Sequence, residues 1–411
     1  MIIQPAKRTE CVQEYYFSKK LKEIAAINAE YDAAGHGRVI NLGIGAPDGM
    51  PPTDAIRALA ESARQSDVHI YQSYVGIPEL REAFAGWYDR YYGVSLDPAR
   101  EIQPLAGSKE GILLISLAFL DRGDKVLVPD PGYPTYSSAS RLAEAEIVTY
   151  DLCGDNGWMP DFEALGKMDL EGVKLMWTNY PNMPTGASAT AGLYERLVDF
   201  GRRHGIMICN DNPYSFILND RPLSILAVPG AKECCVELNS LSKAHNMSGW
   251  RIGMVAGAAD VIGQVLKVKS QMDSGMFRPM QLAAVEALKQ GPEWFEALNA
   301  EYRARRELAG YIFDLIGARY DRNSGGMFLW GRIDPDNRIA CGDTVRDGTV
   351  TLGEKVSDAL LYGADVFITP GFIFGRNGAD YVRISLCADR DTLKKAYGRI
   401  SEINDLEHRS R

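Results

Sequence analysis

The chain is poor in histidine, with five in 411 residues. No two of them sit at the spacing of a metal-ligand pair, which argues against a histidine-based metal centre. Its seven cysteines are Cys11, Cys153, Cys209, Cys234, Cys235, Cys341 and Cys387. They include no Cys-x-x-Cys pair, their number is odd, and no secretory leader precedes them. They read as reduced thiols of a cytoplasmic protein. No apolar run approaches the roughly 20 residues a membrane helix needs. Basic tracts are also missing, and the formal net charge is -9. Neither nucleic acid nor an anionic membrane is therefore an expected partner. Gly43-Ile44-Gly45 lacks the third glycine of a dinucleotide fingerprint and runs on to Pro51-Pro52 rather than a helix. A GxxxxGK[ST] loop, a GxSxG elbow, internal repeats and low-complexity tracts are all absent.

What is present is an ordinary globular composition, 46% hydrophobic and 24% charged. The chain is too long for one simple domain. Residues 14–31 carry Phe17, Leu21, Ile24 and Ile27 at helical spacing, and Val39–Leu42 reads as a short strand. From about 55 to 295, helical stretches such as Glu79–Tyr88 alternate with short apolar runs. Those runs are Lys125–Val128, Ile147–Tyr150, Val173–Trp177, Ile206–Cys209, Cys235–Leu238 and Gly253–Ala256. Such alternation predicts an α/β fold with a mostly parallel sheet between helices. The expected division is a large domain over 55–295 and a smaller α+β domain built from 1–54 and 296–411. A charged helix, Tyr302–Glu307, opens the last part, and the tail from Glu407 to Arg411 reads as frayed.

Several apolar runs end in polar residues: Asp130–Tyr133, Asn179–Gly186, Asn210–Tyr214 and Ser240–Lys243. Ligands of open α/β sheets bind beyond the carboxyl ends of the strands, so these stretches converge on one rim. Lys243 leaves a buried strand, where desolvation lowers the pKa of an amine and makes it nucleophilic. Arg251 follows eight residues later and has the fork that matches a phosphate. A Schiff-base lysine beside a phosphate-binding arginine is the equipment for pyridoxal phosphate (PLP); a solvated surface lysine is the plainer alternative. Asp211 is either a strand-end turn residue or the partner of a pyridine nitrogen, with Tyr214 placed to bond the ring oxygen. Gly107, Ser108 and Lys109 precede an apolar helix, as a plain N-cap or as a phosphate cradle. Tyr133 is either a core tyrosine or a ring over a flat ligand. Arg383, inside an apolar strand, needs an internal acid or a substrate carboxylate.

Taken together these positions resemble the PLP-dependent class I/II aminotransferases of fold type I, over roughly residues 35 to 400. The resemblance rests on Tyr71 with Gly76–Ala83, on Pro184-Thr185-Gly186, and on Asp211 with Tyr214. Ser240 with Lys243, Gly249–Gly253, and Arg383 complete it. The stretches Gly107–Ile112, Asp130–Tyr136 and Lys267–Gly275 are most similar to the branch of LL-diaminopimelate aminotransferases and their unassigned relatives. The resemblance implies that Lys243 carries the cofactor and shuttles the proton. It implies that Asp211 pairs with the pyridine nitrogen, Tyr214 bonds the ring oxygen and Tyr133 stacks on the ring. Ser240, Arg251 and the amides of Gly107, Ser108 and Lys109 would hold the phosphate. Gly45 would admit the substrate and Arg383 would bind its α-carboxylate. Tyr71 would reach the phosphate of a partner subunit in a homodimer, and residues 273–278 would approach the partner's site.

One position departs from the pattern: Met183 stands where the family has asparagine. Asn182 or Asn179 substitutes for it at the ring oxygen, or Tyr214 serves alone. Three functions fit the pattern: transamination between an amino acid and a 2-oxo acid, a PLP-dependent C–S β-lyase, and a non-catalytic PLP-fold binding protein. Arg278 is a substrate contact across a dimer or a surface ion pair.

Overall fold

The structure, a computed structural model, describes residues 3–10, 12, 14, 16–340 and 350–409, with 403–409 described by backbone alone. Cys11 and Cys341 lie outside the described residues. Among the described residues the chain forms a seven-stranded sheet, a four-stranded sheet and a two-stranded pair.

The seven-stranded sheet runs in the order Ile102–Leu105, Gly253–Gly257, Cys235–Ser240, Met207–Asp211, Val173–Asn179, Lys125–Asp130, Glu146–Asp151. Gly253–Gly257 is antiparallel to both neighbours and the other pairings are parallel. All six apolar runs picked out by pattern are strands. Leu175, Met176 and Trp177 are buried in succession, as expected of a strand covered on both faces. The strand that pattern missed is Ile102–Leu105. It has four residues, and Pro104 removes a ladder donor, which an edge position tolerates.

Helices bring the chain back between strands. Ala191–His204 starts at Thr190, whose hydroxyl accepts from the Leu193 amide. It stops at Gly205, in the left-handed region at φ 66°. That stop turns the chain into Met207–Asp211 and so aims Asp211 at the rim.

The ends of the chain pack together. Ile40–Asn41 pairs in parallel with Val366–Phe367. Ile24, on the helix Tyr16–Ala34, shares a core with Val39, Leu361 and Phe367. The four-stranded sheet is antiparallel, in the order Thr369–Pro370, Tyr381–Ser385, Phe328–Arg332, Arg319–Tyr320. The charged stretch Tyr302–Glu307 is the middle of a longer helix, Pro292–Leu315, which spans residues 295 and 296. The last helix runs from Arg390 to Arg409, so its backbone stays helical through Glu407, where the sequence suggested fraying. Leu393, Ala396 and Ile400 bury one face of it and hold it down. No helix among the described residues is long and apolar enough to cross a membrane.

Candidate active site

The strand ends do converge. A cavity of about 410 Å³ opens beyond them. Of the residues singled out from sequence, Gly45, Ser108, Lys109, Tyr133, Asp211, Tyr214, Ser240, Lys243, Arg251 and Arg383 line it.

Lys243 sits on the short helix Leu241–Ala244. Ser240 caps that helix by accepting from the Ser242 amide. The Lys243 amine donates to the Gly45 carbonyl at 2.6 Å and lies 5.9 Å from the centre of the Tyr214 ring. Burial is the main cause that lowers its pKa. Asp211 ends its strand almost fully buried. Its Oδ2 accepts from the Tyr136 hydroxyl at 2.9 Å. Its Oδ1 is buried with no hydrogen-bond partner among the described residues. Burial pushes this carboxyl up to about 7, against the opposing pull of the Tyr136 bond and the Lys243 charge.

Sequence reading missed Tyr136. It is buried and stacks on Trp177, with ring centres 5.0 Å apart and planes 4° from parallel. Its signal was there: it lies three residues after Tyr133, which precedes the helix Pro134–Leu142, so both rings fall on one side of that helix.

The opposite wall gathers hydroxyls and a guanidinium. The helix Ser108–Phe119 begins at Gly107, whose φ is 82°. A Cβ on Gly107 would overlap the Arg251 guanidinium. Arg251 donates to the Ser248 carbonyl at 2.9 Å and to the Ser242 hydroxyl at 3.3 Å. The Ser240 and Ser242 hydroxyls are 2.8 Å apart. Gly253 lets these segments meet, because a Cβ there would lie 2.9 Å from the Ser108 nitrogen and 2.6 Å from the Asn239 carbonyl.

Arg383 is buried on the third wall. It donates to the Gly43 carbonyl at 2.8 Å and to the Met183 sulfur at 3.3 Å. Its guanidinium lies 4.0 Å from the centre of Phe328 and 4.6 Å from that of Phe374. Phe328, Phe374 and Met183 line the cavity; the two phenylalanines had no signal in the local pattern, whereas Met183 stood out as the departure before Pro184-Thr185-Gly186.

Four expected residues stand elsewhere. Gly107 is buried beside Arg251 without lining the cavity. Asn182 does not line it either. Its amide donates to the Asn179 carbonyl, and its oxygen accepts from the Thr185 hydroxyl at 2.7 Å. Asn179 does line the cavity, but its amide donates to the Asp211 carbonyl at 2.6 Å. Tyr71 is outside the cavity and 89% exposed. Arg278 is also outside and pairs with Asp67 at 3.4 Å.

Residues 37–400 match the family described as aminotransferase class I and II. An LL-diaminopimelate aminotransferase of Nitratidesulfovibrio vulgaris (strain DSM 19637 / Miyazaki F) is 37% identical over 383 residues, 92% of this chain and 95% of its own length. The enzyme of that name from Moorella thermoacetica is 36% identical over 404 residues, 98% of each chain. Substrate-bound BacF of Bacillus subtilis superposes with a TM-score of 0.87 at 34% identity, covering 98% of both chains. The chain belongs to the class I and II aminotransferases, enzymes that use PLP to move an amino group between an amino acid and a 2-oxo acid.

Proposed function

We propose that the cavity holds PLP and that Lys243, Asp211 and Arg383 carry transamination of an α-amino acid. The observation that carries this reading is the buried Asp211 Oδ1, which has no hydrogen-bond partner among the described residues, in the same cavity as the half-buried Lys243. A buried polar atom without a partner costs about 1–3 kcal/mol, so such an atom in a cavity wall marks a missing donor. The N–H of a pyridinium supplies that donor. Ser108, Ser240 and Arg251, with the amides at the start of the Ser108–Phe119 helix, fit a phosphate dianion.

Bound PLP supplies an electron sink for the electron pair left when the substrate Cα–H bond breaks. Lys243 takes that proton and returns it, since burial favours its neutral, basic form. Asp211 keeps the ring nitrogen protonated, and Tyr136 orients Asp211 through its hydroxyl. Tyr214 serves as the donor to the ring oxygen without help from Asn182. Arg383 exchanges the Gly43 carbonyl for the substrate α-carboxylate, a two-pronged partner that suits its fork. A second copy of the chain completes the site through Tyr71.

The experiment is a panel of amino donors that includes LL-diaminopimelate, alanine and glutamate, each with 2-oxoglutarate or pyruvate as acceptor, followed by the absorbance of the cofactor. Cystathionine is the control for β-lyase chemistry. Transfer of the amino group to an acceptor supports the reading, and pyruvate release from cystathionine without any transfer overturns it. Borohydride reduction of the holoenzyme should fix a pyridoxyl group on Lys243. Label on another lysine refutes the assignment.

A further inference from the structure

Arg305 lies on the helix Pro292–Leu315, outside the cavity lining, and is 7% exposed. Its guanidinium joins three segments. It grips both carboxylate oxygens of Asp48, at 2.7 and 3.0 Å. It also donates to the carbonyls of Leu386 and Cys387, at 3.3 and 3.1 Å, just beyond the strand that carries Arg383. Its Nε donates to Glu301 on its own helix at 2.9 Å.

Asp48 closes the segment that begins at Leu42. The Leu42 carbonyl accepts from the Ser385 amide at 2.8 Å, so the segment is pinned at that end by the Arg383 strand. Arg305 pins the other end. Between the pins, the Gly43 carbonyl accepts from Arg383 and the Gly45 carbonyl accepts from Lys243. Arg383 and Lys243 are thus tied to one short span whose far end is held by the buried Arg305 guanidinium.

We propose that Arg305 is a positioning residue: by clamping Asp48 against the 386–387 backbone it fixes the 43–47 span, and thereby the spacing at which Arg383 and Lys243 meet the carboxylate and the Cα of a substrate. The inference rests on the reading of Arg383 given under Proposed function. A substrate carboxylate must displace the Gly43 carbonyl from Arg383. While the span is held, that carbonyl cannot follow the guanidinium and compete. With the clamp slackened it does follow, and carboxylates bind more weakly. The chemistry at Lys243 and Asp211 is untouched, so the loss falls on KM rather than kcat.

The test uses holoenzyme variants and glutarate as a non-reacting carboxylate, titrated by calorimetry beside steady-state kinetics. Arg305→Lys keeps the charge but loses the fork. Asp48→Asn keeps the shape and leaves Arg305 bonded to Glu301 and the two carbonyls. Both should weaken glutarate and raise the amino acid KM by at least about fivefold, with kcat within about threefold and cofactor absorbance unchanged. Glu301→Gln, which leaves both Asp48 bonds in place, should stay within about twofold on every measure. Arg383→Lys separates the two ideas. If it weakens glutarate while Arg305→Lys and Asp48→Asn do not, the clamp is refuted and Arg383 keeps its role. If it does not weaken glutarate, the Arg383 reading falls and the clamp with it. A proportional loss of kcat, cofactor and carboxylate binding in Asp48→Asn also overturns the proposal, because it shows general loosening.

Discussion

Asp211 carries two opposite expectations, depending on whether a cation faces it. In the cofactor-free protein burial raises its pKa to about 7, from an unfolded value near 3.9. The folded state therefore holds this proton more tightly than the unfolded state does. Stability from this group is fully present below about pH 4 and is lost as pH rises through 7. Asp211→Asn removes the buried charge. It should raise the stability of the cofactor-free protein at pH 8 by up to about 4 kcal/mol, with the gain shrinking towards pH 5. Urea unfolding at the two pH values measures this, and an increment independent of pH would contradict it. In the holoenzyme the sign reverses. Asp211→Ala should lower kcat more than about a thousandfold, or ~4 kcal/mol of barrier, because the ring nitrogen loses its counter-charge. Activity within about tenfold of the parent would remove Asp211 from the mechanism. At this scale Lys243, Asp211 and Arg251 were legible because each follows or opens an apolar run. Phe328 and Phe374 were not, since nothing local distinguishes a cavity wall from any other core position.

Among the elements, the junction between the Ser108–Phe119 helix and the Gly253–Gly257 strand is the most exacting. A Cβ on residue 253 would press on backbone atoms of both Asn239 and Ser108, which no side-chain rotation relieves. Gly253→Ala should cost a few kcal/mol of stability, in the range of about 1–3 for overpacking, and weaken cofactor retention by separating Ser108 from Ser240 and Arg251. Differential scanning fluorimetry with and without PLP tests both effects. An unchanged melting temperature in the two conditions would show that the junction yields freely. The same strand marks where pattern reading stopped. Its apolar run identified it, but its antiparallel direction follows from its neighbours. Ile102–Leu105 escaped notice because four residues with a proline carry too little periodicity. Asn182 shows a related limit. Adjacency to Met183 suggested a cavity contact, whereas its side chain closes the turn through Thr185.

For the whole molecule, the exposed face around residues 70–74 and 272–277 matters most. Tyr71 is 89% exposed, Ile70 69%, Met272 50% and Phe277 40%. The two segments touch, as a Cβ on Gly275 would lie 2.5 Å from the Gln72 carbonyl. Large apolar side chains gathered this way fit a buried interface better than a solvated one. The chain is expected to sediment as a homodimer. Tyr71→Phe should weaken PLP retention by about 1.5–3 kcal/mol, the size of one charge-assisted hydrogen bond, without altering Lys243 labelling. A fully active monomer, or a Tyr71→Phe protein that retains PLP as the parent does, would overturn the shared site.

Local sequence pattern by itself determined the α/β class, six strands of the large sheet, and the placing of Lys243, Asp211, Tyr214 and Ser240 at strand ends. Burial and periodicity are properties of short stretches, and polar residues closing buried runs announce a rim. Only the tertiary structure decided which of those residues share a cavity, that Tyr136 bonds Asp211, that Asn182 bonds Asn179 and Thr185 instead of lining the cavity, and that one arginine on the Pro292–Leu315 helix ties the 43–48 segment to the Arg383 strand. The contacts of Tyr136 and of that arginine join residues 75 to 257 positions apart. Their energies depend on burial and mutual geometry, which come into existence only when the elements have packed.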